Sequence, residues 1–476
     1  MTSENTVPNL NKAYLQSRND LVGLPNTTET KVERGKLPNI FRINPRAVPN
    51  IWIQKPELVK RFVKLTKGDI GGIGGHVEAS ALVEATVLDY VLRHNRFNKG
   101  PIFESVIATH IGDDIAITGV FNEKVIKKSG LVDGILWDAF NKGTDLATEL
   151  GLYGPGQDLK VDSFTGNLHG SGLALIVLPL PYREDPSKAS QTVVLGTADK
   201  TDPGTMNYIT SGAYLNEEFN TGLLIANSAM RNGYLFEIVD VDTKEQAMEA
   251  GVPVNDKEGL DKKMSELGKT ERTVVLDGVK DCRELRTLLM SGSRYVIRRV
   301  FLKGKDDQIG ETGVVVTAER LHNIRTKDGF VYGGKDDPGL LALAQGDWPA
   351  PGEITSPIAR TPVVAGDCRG SHWLPIYPVP ICEQTSYWSG PILSVITMSI
   401  NLHTGRIGAI SDQFARGTPW DTYRQNAAGY MLWFRYAHGS KEPGTLPASD
   451  QEYHTGYERT IKDLAERFQR KAPETI

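Results

Sequence analysis

The chain is poor in cysteine: Cys282, Cys368 and Cys382 are its only three, and none stands at CxxC spacing. Three thiols build neither a disulfide framework nor a thiolate-rich zinc site, so a reducing cytoplasm is the expected setting. Long apolar runs are also missing. None approaches the roughly 20 residues that span a bilayer, and the first thirty residues lack a charged-then-apolar leader pattern, so no membrane partner is expected. Charge of one sign is missing as well. Lys and Arg number 54 against 58 Asp and Glu, for a net charge of −4 without a basic block. Nucleic acid is therefore not an expected partner.

What is present is a globular, loop-rich chain of 476 residues with 39% apolar residues and 48 glycines, long enough for two or three domains or one large core. Residues 1–58 carry four Pro-Asn pairs, at Pro8, Pro25, Pro38 and Pro49. Each proline biases its predecessor away from helix, which predicts an extended N-terminal arm. Residues 59–476 then read as one catalytic domain. Strands are expected at 61–66, 102–110, 115–121, 173–180, 191–197, 234–242, 294–302 and 313–319, with a β-rich stretch at 392–409. Helices are expected after residue 76, over about 124–151, and at 418–437 and 455–470. A charged and mostly helical insertion covers about 243–290. Strands interleaved with helices, several of them in hairpins, point to α+β layers rather than a purely parallel sheet.

Polar residues gather in the loops at strand ends. Asp69 and His76 flank the glycine-rich turn Gly71-Gly72-Ile73-Gly74-Gly75; Asp113 and Asp114 mark a hairpin or a bulge; Gln157 lies in a second glycine loop; Asp199 and Lys200 follow a strand. A fifth loop holds Tyr332, Gly333, Gly334, Lys335, Asp336 and Asp337. A lysine amine forms a Schiff base with a carbonyl when its environment lowers its pKa, and paired aspartates suit a hard cation. Each loop alone is explained as a solvated turn. Gly304-Lys305-Asp306-Asp307 repeats the four letters of 334–337 between two strands, where a plain hairpin turn is expected. The five loops together favour an oxygen-rich site for several Mg²⁺ ions over zinc or iron, and hence phosphate chemistry. A rival is a cysteine hydrolase built on Gly366-Asp367-Cys368-Arg369-Gly370, with His372 or His403 as base. Pro375, Pro378 and Pro380 interrupt the helix such an elbow requires, so Arg369 is better used as a phosphate ligand.

From about Val63 to Tyr453 these motifs, in this order, resemble the bifunctional fructose-1,6-bisphosphate aldolase/phosphatase family of archaeal type. The resemblance implies a four-layer α-β-β-α sandwich, a homo-octamer and Mg²⁺ as cofactor. It also implies two reactions in one cavity. Dihydroxyacetone phosphate forms a Schiff base on Lys335, with Tyr332 moving the proton, and condenses with glyceraldehyde 3-phosphate. Asp69 and the metal ions then remove the C1 phosphate of fructose 1,6-bisphosphate. The implied metal ligands are Asp69, His76, Asp113, Asp114, Gln157, Asp199, Asp336 and Asp337. The implied substrate contacts are His76, Tyr153, Gly166, Asn167, Lys200, Gln345, Arg369 and Tyr453. Ser389-Gly390-Pro391 stands where the family has Asp-Gly-Pro, whose aspartate contacts the sugar. A Mg²⁺-dependent phosphatase without aldolase activity, or one acting on another sugar phosphate, is the alternative.

Overall fold

The computed structural model describes residues 39–42, 57–97, 100–126, 130–159, 174–201, 204–215, 233–267, 270–292, 294–304, 309–318, 324–325, 331–332, 338–365, 373–383, 390–438 and 457–471. Strands β1 (Asn39–Arg42), β2 (Arg61–Asp69), β3 (Ser105–Ile111), β4 (Asp114–Asn122) and β5 (Ala174–Pro179) form one sheet in the order β1-β3-β4-β2-β5. β3 and β4 are the expected hairpin, and β4 runs antiparallel to β2 so that Asp69 stands opposite Asp114. Most of the N-terminal arm lies outside the described residues; β1 is its described element and pairs in parallel with β3.

Both faces of this sheet are covered, which is why β3 and β4 are buried at every position rather than at alternate ones. On one face lie helices α1 (Ala81–His94) and α2 (Leu131–Glu149), with Val83, Val87, Val91, Ala139 and Phe140 in a cluster with Ile117 and Phe121. A Cβ at Gly143 would come within 2.6 Å of Ile70 and Val87, so the glycine sets how closely α2 approaches. On the other face, Val63, Leu65, Ile107, Val120 and Ile176 share a second cluster with residues of a larger sheet.

The larger sheet contains β6 (Ser190–Asp199), β7 (Tyr234–Asp240), β8 (Glu271–Asp277), β9 (Tyr295–Lys303), β10 (Ile309–Ala318), β11 (Gly339–Ala344), β12 (Tyr377–Pro378), β13 (Ile392–Asn401), β14 (Ile407–Asp412) and β15 (Gln469–Lys471). Its order is β12-β13-β6-β11-β10-β9-β7-β8-β15, with β14 on β13. β9 and β10 pair antiparallel up to Lys303 and Ile309, as a hairpin through the duplicated tetrapeptide requires; residues 305–308 themselves lie outside the described set.

Two segments differ from the sequence reading. The 243–290 region supplies helices α4 (Thr243–Glu249), α5 (Lys257–Leu267) and α6 (Cys282–Leu289), but it also contributes β8, which extends the sheet beside β7. The last helix, α8 (Tyr457–Leu464), is shorter than expected, and the chain continues into β15, which pairs with β8. Helix α3 (Gly204–Tyr214) follows β6, and α7 (Trp420–His438) follows β14. The architecture is α+β, one domain with two mixed sheets. Each fully buried aliphatic or aromatic side chain contributes about 1.5–3 kcal/mol. The two apolar clusters therefore carry the fold, and polar groups at the strand ends are free to be arranged for chemistry.

Candidate active site

The site forms where β2 ends, β4 begins and β6 ends. Asp69 is the last residue of β2 and Asp114 the first of β4, with Asp113 in the turn before it. Asp199 is the last residue of β6, an interior strand of the other sheet. Four carboxylates far apart in sequence thus meet between the sheets, and all are buried.

The glycine turn after Asp69 folds His76 back over them. The His76 Nδ1 atom lies 2.9 Å from Asp113 Oδ2 and 3.2 Å from Asp69 Oδ2. A Cβ at Gly72 would stand 2.3 Å from the Gly75 carbonyl oxygen and 3.0 Å from the Asp113 side chain, so only glycine permits this approach. Gly72 also exchanges two backbone hydrogen bonds of 3.0 Å with Tyr153. That contact sets the exposed Tyr153 ring edge-on to His76, with centroids 5.0 Å apart.

Asp69 is held from several sides. Its Oδ1 accepts from the Gly71 amide at 2.9 Å, and its own amide donates to Asp158 Oδ2 at 2.8 Å. Two lysines enter the cluster. Lys200 donates to Asp113 Oδ1 at 2.8 Å and to Asp199 Oδ1 at 2.6 Å, and Lys67, fully buried in β2, donates to Asp114 Oδ2 at 2.5 Å. Burial pushes the Asp69 carboxyl well above its usual range, and the neighbouring Asp113 charge adds to this. Burial opposes charge on His76, but hydrogen bonds to Asp113 and Asp69 outweigh it and raise its pKa to about 11. Burial likewise disfavours ionised Asp113, yet Lys200 and His76 hold its carboxyl well below the usual range.

Asp69, His76 and Asp113 each offer a ligand atom, and these atoms lie within 4.8 Å of one another. Two carboxylates and one imidazole, with further carboxylates alongside, fit a hard divalent cation. The structure therefore brings together Asp69, His76, Asp113, Asp114, Asp199, Lys200 and Tyr153. Gln157 is adjacent, with its side-chain oxygen folded over Gly154, where a Cβ would come within 2.9 Å of it.

Gln345 is not brought to this place. β11 runs antiparallel to β6, with Gly339 beside Thr197 and Ala344 beside Thr192. Gln345 therefore follows the far end of the strand, roughly 20 Å from the acidic cluster at about 3.3 Å per residue. Tyr332 lies in a short strand paired with Ile324–Arg325. Lys335, Asp336, Asp337, Gly166, Asn167, Arg369, Ser389 and Tyr453 lie outside the described residues, as do Cys368 and His372. His403 is bonded through Nε2 to the Arg183 carbonyl at 2.8 Å.

Three supporting residues were not singled out from sequence. Lys67 falls just past the expected strand 61–66, at the start of the glycine loop, and Asp158 reads as the neighbour of Gln157. His110 pairs with Glu84 at 2.9 Å, both buried behind the hairpin that carries Asp113. A lysine at the alternate positions of Val63 and Leu65, two residues before Asp69, was the signal available for the first.

Comparison with known proteins agrees with this geometry. The sequence profile described as fructose-1,6-bisphosphatase matches residues 60–469. The fructose-1,6-bisphosphate aldolase/phosphatase of Ignicoccus hospitalis is 32% identical over 86% of this chain and 93% of its own length. The protein of the same name from Thermus thermophilus is 32% identical over 86% of this chain and 100% of its own. That from Methanothermobacter marburgensis is 31% identical, over 86% and 99%. The chain belongs to the fructose-1,6-bisphosphatase family.

Proposed function

We propose that the chain is a bifunctional, gluconeogenic fructose-1,6-bisphosphate aldolase/phosphatase using Mg²⁺. The observation that carries this reading is the convergence of Asp69, His76, Asp113 and the Lys200–Asp199 pair beside the start of β11. The Pro338 carbonyl accepts from the Ala198 amide at 3.0 Å, one residue before Asp199. Lys335 precedes Pro338 by three residues in the sequence. By the family resemblance, this segment would supply an amine, Lys335, and two carboxylates, Asp336 and Asp337, to the same site.

In the first half-reaction the Lys335 amine adds to the C2 carbonyl of dihydroxyacetone phosphate and water leaves. Tyr332 takes a proton from C3, the resulting enamine attacks the aldehyde of glyceraldehyde 3-phosphate, and Tyr332 returns the proton to the new alkoxide oxygen. Hydrolysis of the imine returns the amine and frees fructose 1,6-bisphosphate. In the second, Asp69 takes a proton from the water that attacks the C1 phosphate, leaving fructose 6-phosphate and inorganic phosphate. The ions, held by Asp69, His76, Asp113, Asp114, Gln157, Asp199, Asp336 and Asp337, would neutralise phosphate charge and polarise that water. Tyr153, Lys200, Gly166, Asn167, Arg369 and Tyr453 complete the substrate contacts. Gln345 is omitted from this set because β11 carries it away from the cluster. Helices α3 and α6 are assigned to the outer layer of a four-layer sandwich, and the chain to a cytoplasmic homo-oligomer, an octamer by family resemblance.

The test supplies triose phosphates to the purified chain with and without Mg²⁺. Fructose 6-phosphate and inorganic phosphate should form in equal amounts and only with the ion, and borohydride with dihydroxyacetone phosphate should label the Lys335 peptide. Phosphate release from fructose 1,6-bisphosphate without any labelling would leave the phosphatase alone and reject the aldolase half.

A further inference from the structure

The Lys200 ammonium sits where it bridges two carboxylates, Asp113 and Asp199, that come from different sheets. Its backbone φ of 57° is in the left-handed region, uncommon for a residue with a side chain, and it turns Lys200 back onto the carboxylate of the residue before it. Asp113 is shared: Oδ1 faces Lys200 while Oδ2 faces His76, within reach of the Asp69 carboxylate. A doubly charged ion bound by Asp69 and Asp113 would use the same negative charge that holds Lys200, and would repel the ammonium. Lys67 differs. It lies within β2, is fully buried and pairs with Asp114, a different carboxylate.

From this we propose that Lys200 is the resident counter-cation of the acidic cluster, exchanged for the divalent ion and thereby released toward a phosphate-type oxyanion. The proposal rests on reading the cluster as a metal site. Divalent ion and phosphate then bind with positive coupling through one lysine. The ion frees the ammonium, and the phosphate holds it away from Asp113. By linkage, each ligand tightens the other by the same factor.

Titration calorimetry on the metal-free full-length chain tests this, using Mg²⁺ alone and Mg²⁺ with inorganic phosphate. In the wild type, phosphate should tighten Mg²⁺ binding by about tenfold, within the usual range of such couplings. Lys200→Met should bind Mg²⁺ about tenfold tighter without phosphate and lose most of the coupling, whereas Lys200→Arg should keep it. Equal or weaker Mg²⁺ binding by Lys200→Met, or undiminished coupling, overturns the exchange while leaving the metal site standing. No Mg²⁺ binding by either protein overturns the site itself and the exchange with it. A measurement on the wild type does not depend on the variant folding: reductive methylation of Lys200, followed by peptide mass spectrometry. Labelling should quicken several-fold when Mg²⁺ is added, and an unchanged or slower rate rejects the exchange.

Discussion

Asp69 and Asp158 are tied to each other twice: the Asp69 amide donates to the Asp158 carboxylate at 2.8 Å, and the Asp158 amide donates to the Asp69 carbonyl at 3.0 Å. The end of β2 is thereby fixed by a loop 89 residues further along the chain. Asp158→Ala removes one bond and leaves a buried amide without its acceptor, which costs about 1–3 kcal/mol. The larger effect should be on rate, because a shift of about 1 Å in a reacting group lowers catalysis by up to about 10²-fold. Phosphate release at saturating Mg²⁺ should fall roughly 10- to 100-fold, and less for Asp158→Asn, which keeps an oxygen acceptor. A wild-type rate in the alanine variant would show that Asp69 is positioned by other contacts.

Gly72 makes a different prediction, since the obstacle there is space. A Cβ at that position meets the Gly75 carbonyl oxygen at 2.3 Å, a distance no packing tolerates, and the Asp113 side chain at 3.0 Å. Gly72→Ala should push the turn and His76 away from Asp69 and Asp113, weakening Mg²⁺ binding by tenfold or more, at a stability cost of about 1–3 kcal/mol. Gly134→Ala is the control. It sits in α2 with nothing within 4 Å of the added carbon and should stabilise by up to about 1 kcal/mol. Calorimetry and thermal melting on both variants separate a local effect from general damage.

Much of this site can be read in the sequence because its ligands stand at strand ends, where a run of apolar residues stops and aspartate begins. Asp69, Asp113, Asp114, Asp199 and His76 were recognisable for that reason, as was the β3–β4 hairpin. Lys67 was not, because the strand was expected to stop at residue 66, whereas it runs on to Asp69 and buries Lys67 between the sheets. Asp158 holds Asp69 only through a long-range contact, which no local pattern encodes. Pairing explains the other differences too. β8 lies in a charged, helix-rich segment, and its place beside β7 depends on a partner more than thirty residues away in the register Arg272–Asp240. Gln345 was implied by the family resemblance alone, and β11 places it past the strand end far from this chain's acidic cluster.

Asp240 anchors the inserted region. Its two oxygens accept from Arg294 at 3.0 and 2.9 Å, and Oδ2 also accepts from Arg272 at 3.1 Å. Glu249, on α4, accepts from the same two arginines at 2.6 and 2.8 Å. Removing the central carboxylate leaves Arg294 buried without its main partner, which typically costs about 3–5 kcal/mol. Asp240→Ala should lower the urea midpoint clearly. β7 lies four strands from β6, about 19 Å across the sheet, so turnover per folded molecule should stay within about twofold. A large loss of turnover with an unchanged midpoint would instead connect this network to the active site.

Asp412 gives the pH dependence. Burial raises its carboxyl from the ordinary 3.8 to about 6, against the pull of two backbone donors, Ile381 at 3.0 Å and Phe414 at 2.9 Å. The folded chain therefore binds more protons at this group than the unfolded chain between about pH 4 and pH 6. Stability from Asp412 is greatest below that window and declines as pH rises through it, by about 1–3 kcal/mol in total. Other carboxylates with lowered pKa values, Asp113 among them, slope the opposite way, so the wild-type curve alone does not isolate the effect. The difference between wild type and Asp412→Asn does, because asparagine fixes a neutral group at the position. Urea unfolding at pH 4, 5, 6 and 7 should show the variant gaining on the wild type over that interval and levelling off above pH 6. A difference independent of pH would mean that Asp412 titrates alike in the folded and unfolded chain, with its two backbone hydrogen bonds offsetting burial.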